Sequence, residues 1–324
     1  MNSILQQIPI DHFITESGKT ISLQLSYQLF GQPLSEAPVV LVNHALTGNS
    51  DVCGENGWWK DLIGDGKAID TNHYTILAFN IPGNGFDGFL IENYQDFIAK
   101  DIAKLFLTGL EALDIQQLYA IIGGSLGGGI AWQMAVLNPT ICKHLIPIAS
   151  DYKGTDWLIA NCKIQALFLN NSSNPINDAR MHAMLLYRTP ASFNNRFNRT
   201  INKDLKIFNI ESWLLHHGKK LQKRFQLSAY KLMNHLLKSI DVTQENESSI
   251  STLSSIQSSI HIVSVDSDLF FTAEENQQTF IELFKVKNDV AYSEIKSIHG
   301  HDAFLIEFDQ LAKIIEPIFK TTTI

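Results

Sequence analysis

Basic charge, cysteine and long uninterrupted apolar runs are all scarce in this sequence. Its 324 residues hold 25 Lys and Arg against 33 Asp and Glu, for a formal net charge of −8. That deficit excludes the cationic face on which nucleic-acid binders depend, so no nucleic-acid partner is expected. Three cysteines, Cys53, Cys142 and Cys162, are too few and too scattered for a disulfide framework, and no CxxC pair marks a zinc site. Reduced thiols, a cytoplasmic setting and no bound metal are therefore expected. The N-terminal stretch lacks a basic segment followed by an apolar one, so no signal peptide is expected. One uncharged stretch, Tyr119 to Leu137, is long enough to cross a membrane. Its clustered glycines suit a strand, a sharp turn and a buried helix better, and no membrane association is expected. What remains is ordinary globular composition, 45% hydrophobic and 18% charged. The length allows one large domain with an insertion, or two small ones.

From residue 38 onward, short apolar runs alternate with longer helical patterns. VVLVNHA (39–45), YTILAFNI (74–81) and LYAIIGGS (118–125) are rich in β-branched residues and show no period-two alternation. That is the pattern of strands covered on both faces of a largely parallel sheet. Between them, Tyr94–Leu113 repeats its apolar residues at i, i+3, i+4 and i+7 and predicts an amphipathic helix. This alternation gives an α/β fold with helices on both faces of the sheet. Residues 10–31 alternate around Ser17-Gly18 and predict an antiparallel hairpin at the sheet edge. Residues 151–245 change texture and read as a helical insertion, with patterns at 178–189, 211–225 and 226–240. Strands return at 259–265 and 290–297, a serine-rich loop or weak helix precedes them at 248–259, and a closing helix is predicted over 304–319.

Gly123-Gly124-Ser125-Leu126-Gly127-Gly128 stands between an apolar strand and a helical run. Gly-x-Ser-x-Gly in that context is the nucleophile elbow of the α/β-hydrolase fold. Glycine is needed two positions either side because side chains there would collide. In that fold the acid and the base follow the serine in the order Ser, Asp or Glu, His. HIVSVDSDLFF supplies Asp268, with Asp266 as the alternative, and SIHGHDAFL supplies His301, with His299 as the alternative. Asp268 is preferred because it lies beyond the strand tip, and His301 because it follows Gly300 and precedes the last helix. The oxyanion hole is expected from the backbone N–H groups of Leu126 and of Leu46, in the loop after VVLV. The other nine histidines are read as surface or cap residues, with His44 a structural loop histidine. Because Ser125 precedes residues 151–245 and Asp268 and His301 follow them, one site needs both chain ends in one sheet. The expected organisation is an α/β-hydrolase core from 1–150 and 246–324, with 151–245 as a helical cap.

HALTGNS (44–50), GWWKDLIGDGKAIDTNHY (57–74), GGSLGG (123–128), DSDLF (266–270) and GHDAFL (300–305) together resemble the homoserine O-acetyltransferase family. ARMHAMLLYRT (179–189) and 212–230 resemble that family's cap helices. The resemblance implies a cytoplasmic enzyme of methionine biosynthesis working by ping-pong acyl transfer. Ser125 would carry the acetyl group of acetyl-CoA, and His301, oriented by Asp268, would activate the hydroxyl of L-homoserine. Acetyl-CoA would be a co-substrate, with no permanently bound cofactor. Residues matching Arg180 and Asp302 bind the amino acid in the family, and Arg224 is a further substrate-side residue. Asp302 could also cap the last helix, a role that could hold together with binding the amino acid. The resemblance also implies a homodimer packed through cap helices. Three stretches depart from the family pattern: 80–88, which looks like an ordinary hydrolase loop, the segment between the elbow helix and Arg180, which is shorter and lacks the family's Asp-Pro stretch, and KRFQ around Arg224. Water as acceptor, which would make the protein an esterase or acyl hydrolase, serine as acceptor and succinyl-CoA as donor stay open on the residues alone.

Overall fold

Eight strands form the central sheet of the computed structural model, which describes residues 3–243 and 248–320. In chain order they are β1 (Gln6–Ile14), β2 (Thr20–Gly31), β3 (Val39–Asn43), β4 (Thr75–Phe79), β5 (Leu118–Gly124), β6 (Cys142–Ile148), β7 (Ser259–Val265) and β8 (Val290–Ile295). Their order across the sheet is β1-β2-β4-β3-β5-β6-β7-β8. β1 and β2 are the expected edge hairpin, β2 pairs antiparallel with β4, and every later pairing is parallel.

The strands read as continuous apolar runs because both faces are covered. Leu41, Leu77, Ile121 and Leu145 point into one core, shared with Ile102, Leu105 and Phe106 of α1 (Ala99–Ala112) and Ile130 and Trp132 of α2 (Leu126–Leu137). Val42, Ile76, Ile122 and Ile146 point into the other, shared with Trp59 and with Leu311 and Ile315 of the closing helix. The uncharged stretch 119–137 is thus β5, a turn and α2, and no helix among the described residues is long and apolar enough to cross a membrane. The 94–113 pattern begins late as a helix: Tyr94–Asp96 is a single 3-10 turn, and α1 starts at Ala99.

One strand has no counterpart among the sequence expectations. β6 lies between β5 and β7, yet Lys143, His144 and Pro147 interrupt its apolar run. After β6 come α3 (Asp156–Asn171), α4 (Pro175–Tyr187), α5 (Pro190–Phe197), α6 (Asn209–Gln222) and α7 (Leu227–Lys238). A two-residue-stranded hairpin at 201–208 sits between α5 and α6. Prolines at the first position open α4 and α5, where the missing N–H costs nothing. The expected boundary at 245–246 lies outside the described residues. α8 (Ser249–Ser254) is the weak serine-rich helix, with Ser248 accepting from the Ser251 N–H. α9 (Ala273–Phe284) connects β7 to β8, and α10 (Phe308–Phe319) closes the fold. The predicted last helix therefore starts four residues late, because Gly300–Leu305 forms a 3-10 segment first.

Candidate active site

β5 ends in Gly124 and α2 begins at Leu126, so Ser125 is the entire turn. Its backbone sits at φ 55, ψ −125, a conformation L residues rarely hold without support from their surroundings. The flanking glycines explain how this is tolerated. A Cβ on Gly123 would lie 2.5 Å from the carbonyl of Gly127, and a Cβ on Gly127 would lie 2.3 Å from the carbonyl oxygen of Asn43. Both approaches are too close for any side chain. The turn presents Ser125 at the tips of the central strands.

Three elements distant in sequence meet there. His301 Nε2 is 2.9 Å from Ser125 Oγ, and His301 Nδ1 is 2.7 Å from Asp268 Oδ2. Asp268 accepts from the backbone N–H of Phe270 and Phe271 through its other oxygen, at 2.7 and 3.0 Å. Its carboxylate is therefore fixed on both sides. All three residues are 4% exposed. Phe270, Phe271, Phe304 and Tyr187 surround the imidazole with ring centroids 5.2 to 5.8 Å away. This is a relay able to move a proton off the serine hydroxyl in a dry setting. Asp266, the alternative acid, accepts from the Ser297 N–H at 2.9 Å and orders that loop. His299, the alternative base, pairs with Arg188 and Ser192.

The loop after β3 runs past this relay. Among the described residues, neither the Leu46 nor the Leu126 N–H donates to a protein acceptor, as two oxyanion donors require. His44 holds the loop in place: Nδ1 donates to the Ala45 carbonyl at 2.8 Å, and Nε2 accepts from the Ile81 N–H at 3.0 Å. Burial pushes its pKa down to about 4, so it is a neutral strut joining the 44–48 and 80–88 loops. The paired tryptophans are struts as well. Trp58 donates to the Asn49 carbonyl at 3.0 Å, and Trp59, fully buried, donates to the Phe304 carbonyl at 3.2 Å. The GWW run thus supports the loops carrying Leu46 and His301.

The helical segment reaches the same loops. Arg180, on α4, lies with its guanidinium 5.4 Å from the centroid of Tyr187, whose ring is 5.5 Å from that of His301. It has no carboxylate partner among the described residues. Arg224, just past α6, donates from Nη1 to the Thr47 carbonyl at 3.0 Å. Desolvation and then the charge of Arg180 lower its pKa. Asp302 is not the cap of α10, whose N-cap position is Glu307. Instead it accepts from Arg188 Nε at 2.9 Å.

A family model described as the alpha/beta hydrolase fold matches residues 38–207. The homoserine O-acetyltransferase of Nostoc punctiforme is 33% identical over 337 residues, spanning 94% of this chain and 92% of that protein. That of Nautilia profundicola is 31% identical over 350 residues, spanning 94% and 95%. The chain belongs to the homoserine O-acetyltransferase family, within the α/β hydrolases. Among solved structures, a homoserine O-acetyltransferase from Bacillus anthracis superposes with a TM-score of 0.87 at 18% identity, covering 99% of this chain and 98% of that one. Esterase E22 superposes equally well, TM-score 0.87 at 20% identity over 98% and 100%. At such identities the superpositions establish the fold alone, and the site must speak for the chemistry.

Against the family's pattern, sequence reasoning missed two residues beside the site, Tyr187 and Arg188. Both lie inside the ARMHAMLLYRT stretch, but nothing local marks them, because the site residues they meet, His301 for Tyr187 and Asp302 and His299 for Arg188, are more than a hundred residues away. A second correction concerns the histidines. His144 and His261 are neither surface nor cap residues: they stand on adjacent strands β6 and β7, half-buried, with ring nitrogens 3.2 Å apart. The cysteines are free and buried. Burial pushes Cys53 and Cys162 up to about 12 and Cys142 to about 11, so none offers a thiolate at neutral pH. A groove of about 1070 Å³ borders Asp268 and Leu269 but neither Ser125 nor His301, so it lies behind Asp268 rather than over Ser125.

Proposed function

We propose that this protein is a homoserine O-acetyltransferase that moves an acetyl group from acetyl-CoA, through an ester on Ser125, to the hydroxyl of L-homoserine. The observation that carries the proposal is the Ser125–His301–Asp268 relay, with spacings of 2.9 and 2.7 Å, in a chain of this family. In the first half-reaction Ser125 Oγ bonds to the thioester carbon while its proton passes to His301 Nε2. The tetrahedral oxyanion is received by the N–H groups of Leu46 and Leu126, each worth about 3–4 kcal/mol in such sites. The C–S bond then breaks, and CoA leaves as the thiol with the proton from His301. In the second half-reaction His301 takes the proton of the homoserine hydroxyl, whose oxygen attacks the acetyl-serine. Collapse returns the proton to Ser125 and releases O-acetylhomoserine. Asp268 holds the imidazole in the required tautomer throughout.

Arg180 suits the acceptor's carboxylate, since a guanidinium with no carboxylate of its own can take one bidentately. Asp302 suits the ammonium, and Arg224 is the third substrate-side residue. On this account α3–α7 act as a cap that excludes water, without which the acyl-serine would be hydrolysed. Free buried thiols suit a cytoplasmic enzyme. The test is CoA release measured with acetyl-CoA or succinyl-CoA and with homoserine, serine or no amino acid, the product being identified by mass. Acetyl-CoA alone should release about one CoA per enzyme, and continued release should require homoserine as well. Release indifferent to the amino acid would mean a hydrolase, and preference for serine or for succinyl-CoA would reassign acceptor or donor.

A further inference from the structure

Arg188 is the first residue beyond α4 and has an extended backbone, φ −121, ψ 163. Its guanidinium meets two groups on either side of His301. Nε donates to Asp302 Oδ2 at 2.9 Å, and Nη1 donates to His299 Nδ1 at 3.1 Å. Arginine carries no acceptor, so Nδ1 is the accepting nitrogen of His299. The Arg188 and Asp302 side chains are 14% and 18% exposed, so the pair is largely withdrawn from water. Neighbouring contacts fasten the same two segments. Thr189 Oγ1 donates to the Ile298 carbonyl at 2.5 Å, and Ser192 Oγ lies 3.1 Å from His299 Nδ1. Gly300 has φ +63, and a Cβ there would come within 3.0 Å of the Tyr187 carbonyl oxygen. The start of α5 and the end of α4 are therefore pressed against the loop that carries the base.

We infer that Arg188 is a positioning residue for the acceptor half-reaction: it holds Asp302 by Oδ2, leaving Oδ1 to receive the acceptor's ammonium, and holds the far side of the loop through His299. Asp302 Oδ1 has no protein partner among the described residues. The planar fork of arginine can reach Asp302 and His299 together, which a lysine ammonium cannot do with the same geometry. The inference rests on an amino-acid acceptor as proposed above, and it adds to that proposal the residue that aims the ammonium ligand.

The experiment compares wild type, Arg188→Gln, Asp302→Asn and the double variant. Steady-state kinetics with acetyl-CoA and homoserine are set beside the burst of p-nitrophenol from p-nitrophenyl acetate, which reports acylation alone. Arg188→Gln should raise the homoserine KM by about tenfold or more while slowing the burst by a smaller factor, under about threefold. Added to Asp302→Asn, it should cost less than about a further twofold, because the residue it acts through is already gone. Arg188→Lys should fall between wild type and Arg188→Gln, and it replaces Arg188→Gln if that variant does not fold. An unchanged homoserine KM, an equal loss in burst and KM, or a fully multiplicative penalty in the Asp302→Asn background would overturn the inference. If homoserine fails to discharge the wild-type acyl-enzyme, the proposed function itself fails, and that is visible before any variant is made.

Discussion

At the scale of single residues, the site is a set of hydroxyl, imidazole and carboxylate groups whose neighbours leave each only one role. On the proposed mechanism Ser125 is the nucleophile, since none of the three buried cysteines offers a thiolate at neutral pH and the turn aims the Ser125 Oγ at His301. His44 shows the opposite case, an imidazole made inert by burial. Its pKa is about 4 in the folded protein and about 6.5 in an unfolded chain. Above pH 6.5 both states are neutral, and the full contribution of its two hydrogen bonds is present. Between 6.5 and about 4 the unfolded chain takes up a proton that the folded one refuses, so stability falls as pH falls. Below about 4 no further loss accrues. The unfolding free energy of wild type should therefore exceed that of His44→Gln most at neutral pH. The gap should narrow on acidification by at most roughly 1.4 kcal/mol per pH unit. A gap independent of pH would remove the neutral strut. His44 was legible as structural from its loop position, while Arg188 was not legible as functional, since Asp302 and His299 are its neighbours only after folding.

Elements carry the next level of the argument, and the elbow is the one where sequence and geometry agree most closely. The Gly-x-Ser-x-Gly spacing predicted a collision two residues from the serine, and the approach of Gly123 to Gly127 is that collision avoided. Gly127→Ala would set a methyl group 2.3 Å from the Asn43 carbonyl, backbone against backbone, so the turn has to open. That moves both the Leu126 N–H and Ser125, and acylation should fall by about a hundredfold or more, the loss typical of a disrupted oxyanion site. Burst kinetics with an activated ester measure it, and near-normal acylation would show that the turn is not strained as described. β6 was illegible for a physical reason. Its Lys143 and His144 occupy the exposed end of the strand and Pro147 the other, so no unbroken apolar run announces it. The late starts of α1 and α10 arise alike, from a 3-10 segment that precedes each: Tyr94–Asp96 before α1 and Gly300–Leu305 before α10.

Over the whole molecule, the chain order of the chemistry decides the architecture. Ser125 follows β5, while Asp268 and His301 follow β7 and β8, and β5 to β8 are neighbours in one sheet. The helices α3–α7 enter the chain between β6 and β7, which pair directly, so they add to the sheet without interrupting it. Their buried side chains, from Leu158 to Leu237, join the same core as α1 and α2. Overall charge plays a smaller part: at −8 the protein's field does not attract a polyanionic donor, and Arg180 and Arg224 supply positive charge locally. The central claim, that Ser125 carries the acetyl group to homoserine, is tested most directly by the mass of the intact protein. Mixed with acetyl-CoA alone, wild type should gain one acetyl group on Ser125, keep it in water, and lose it on addition of homoserine as O-acetylhomoserine appears. Ser125→Ala should gain none. An acetyl group that decays equally fast without homoserine, or that attaches to the Ser125→Ala protein, would contradict the account.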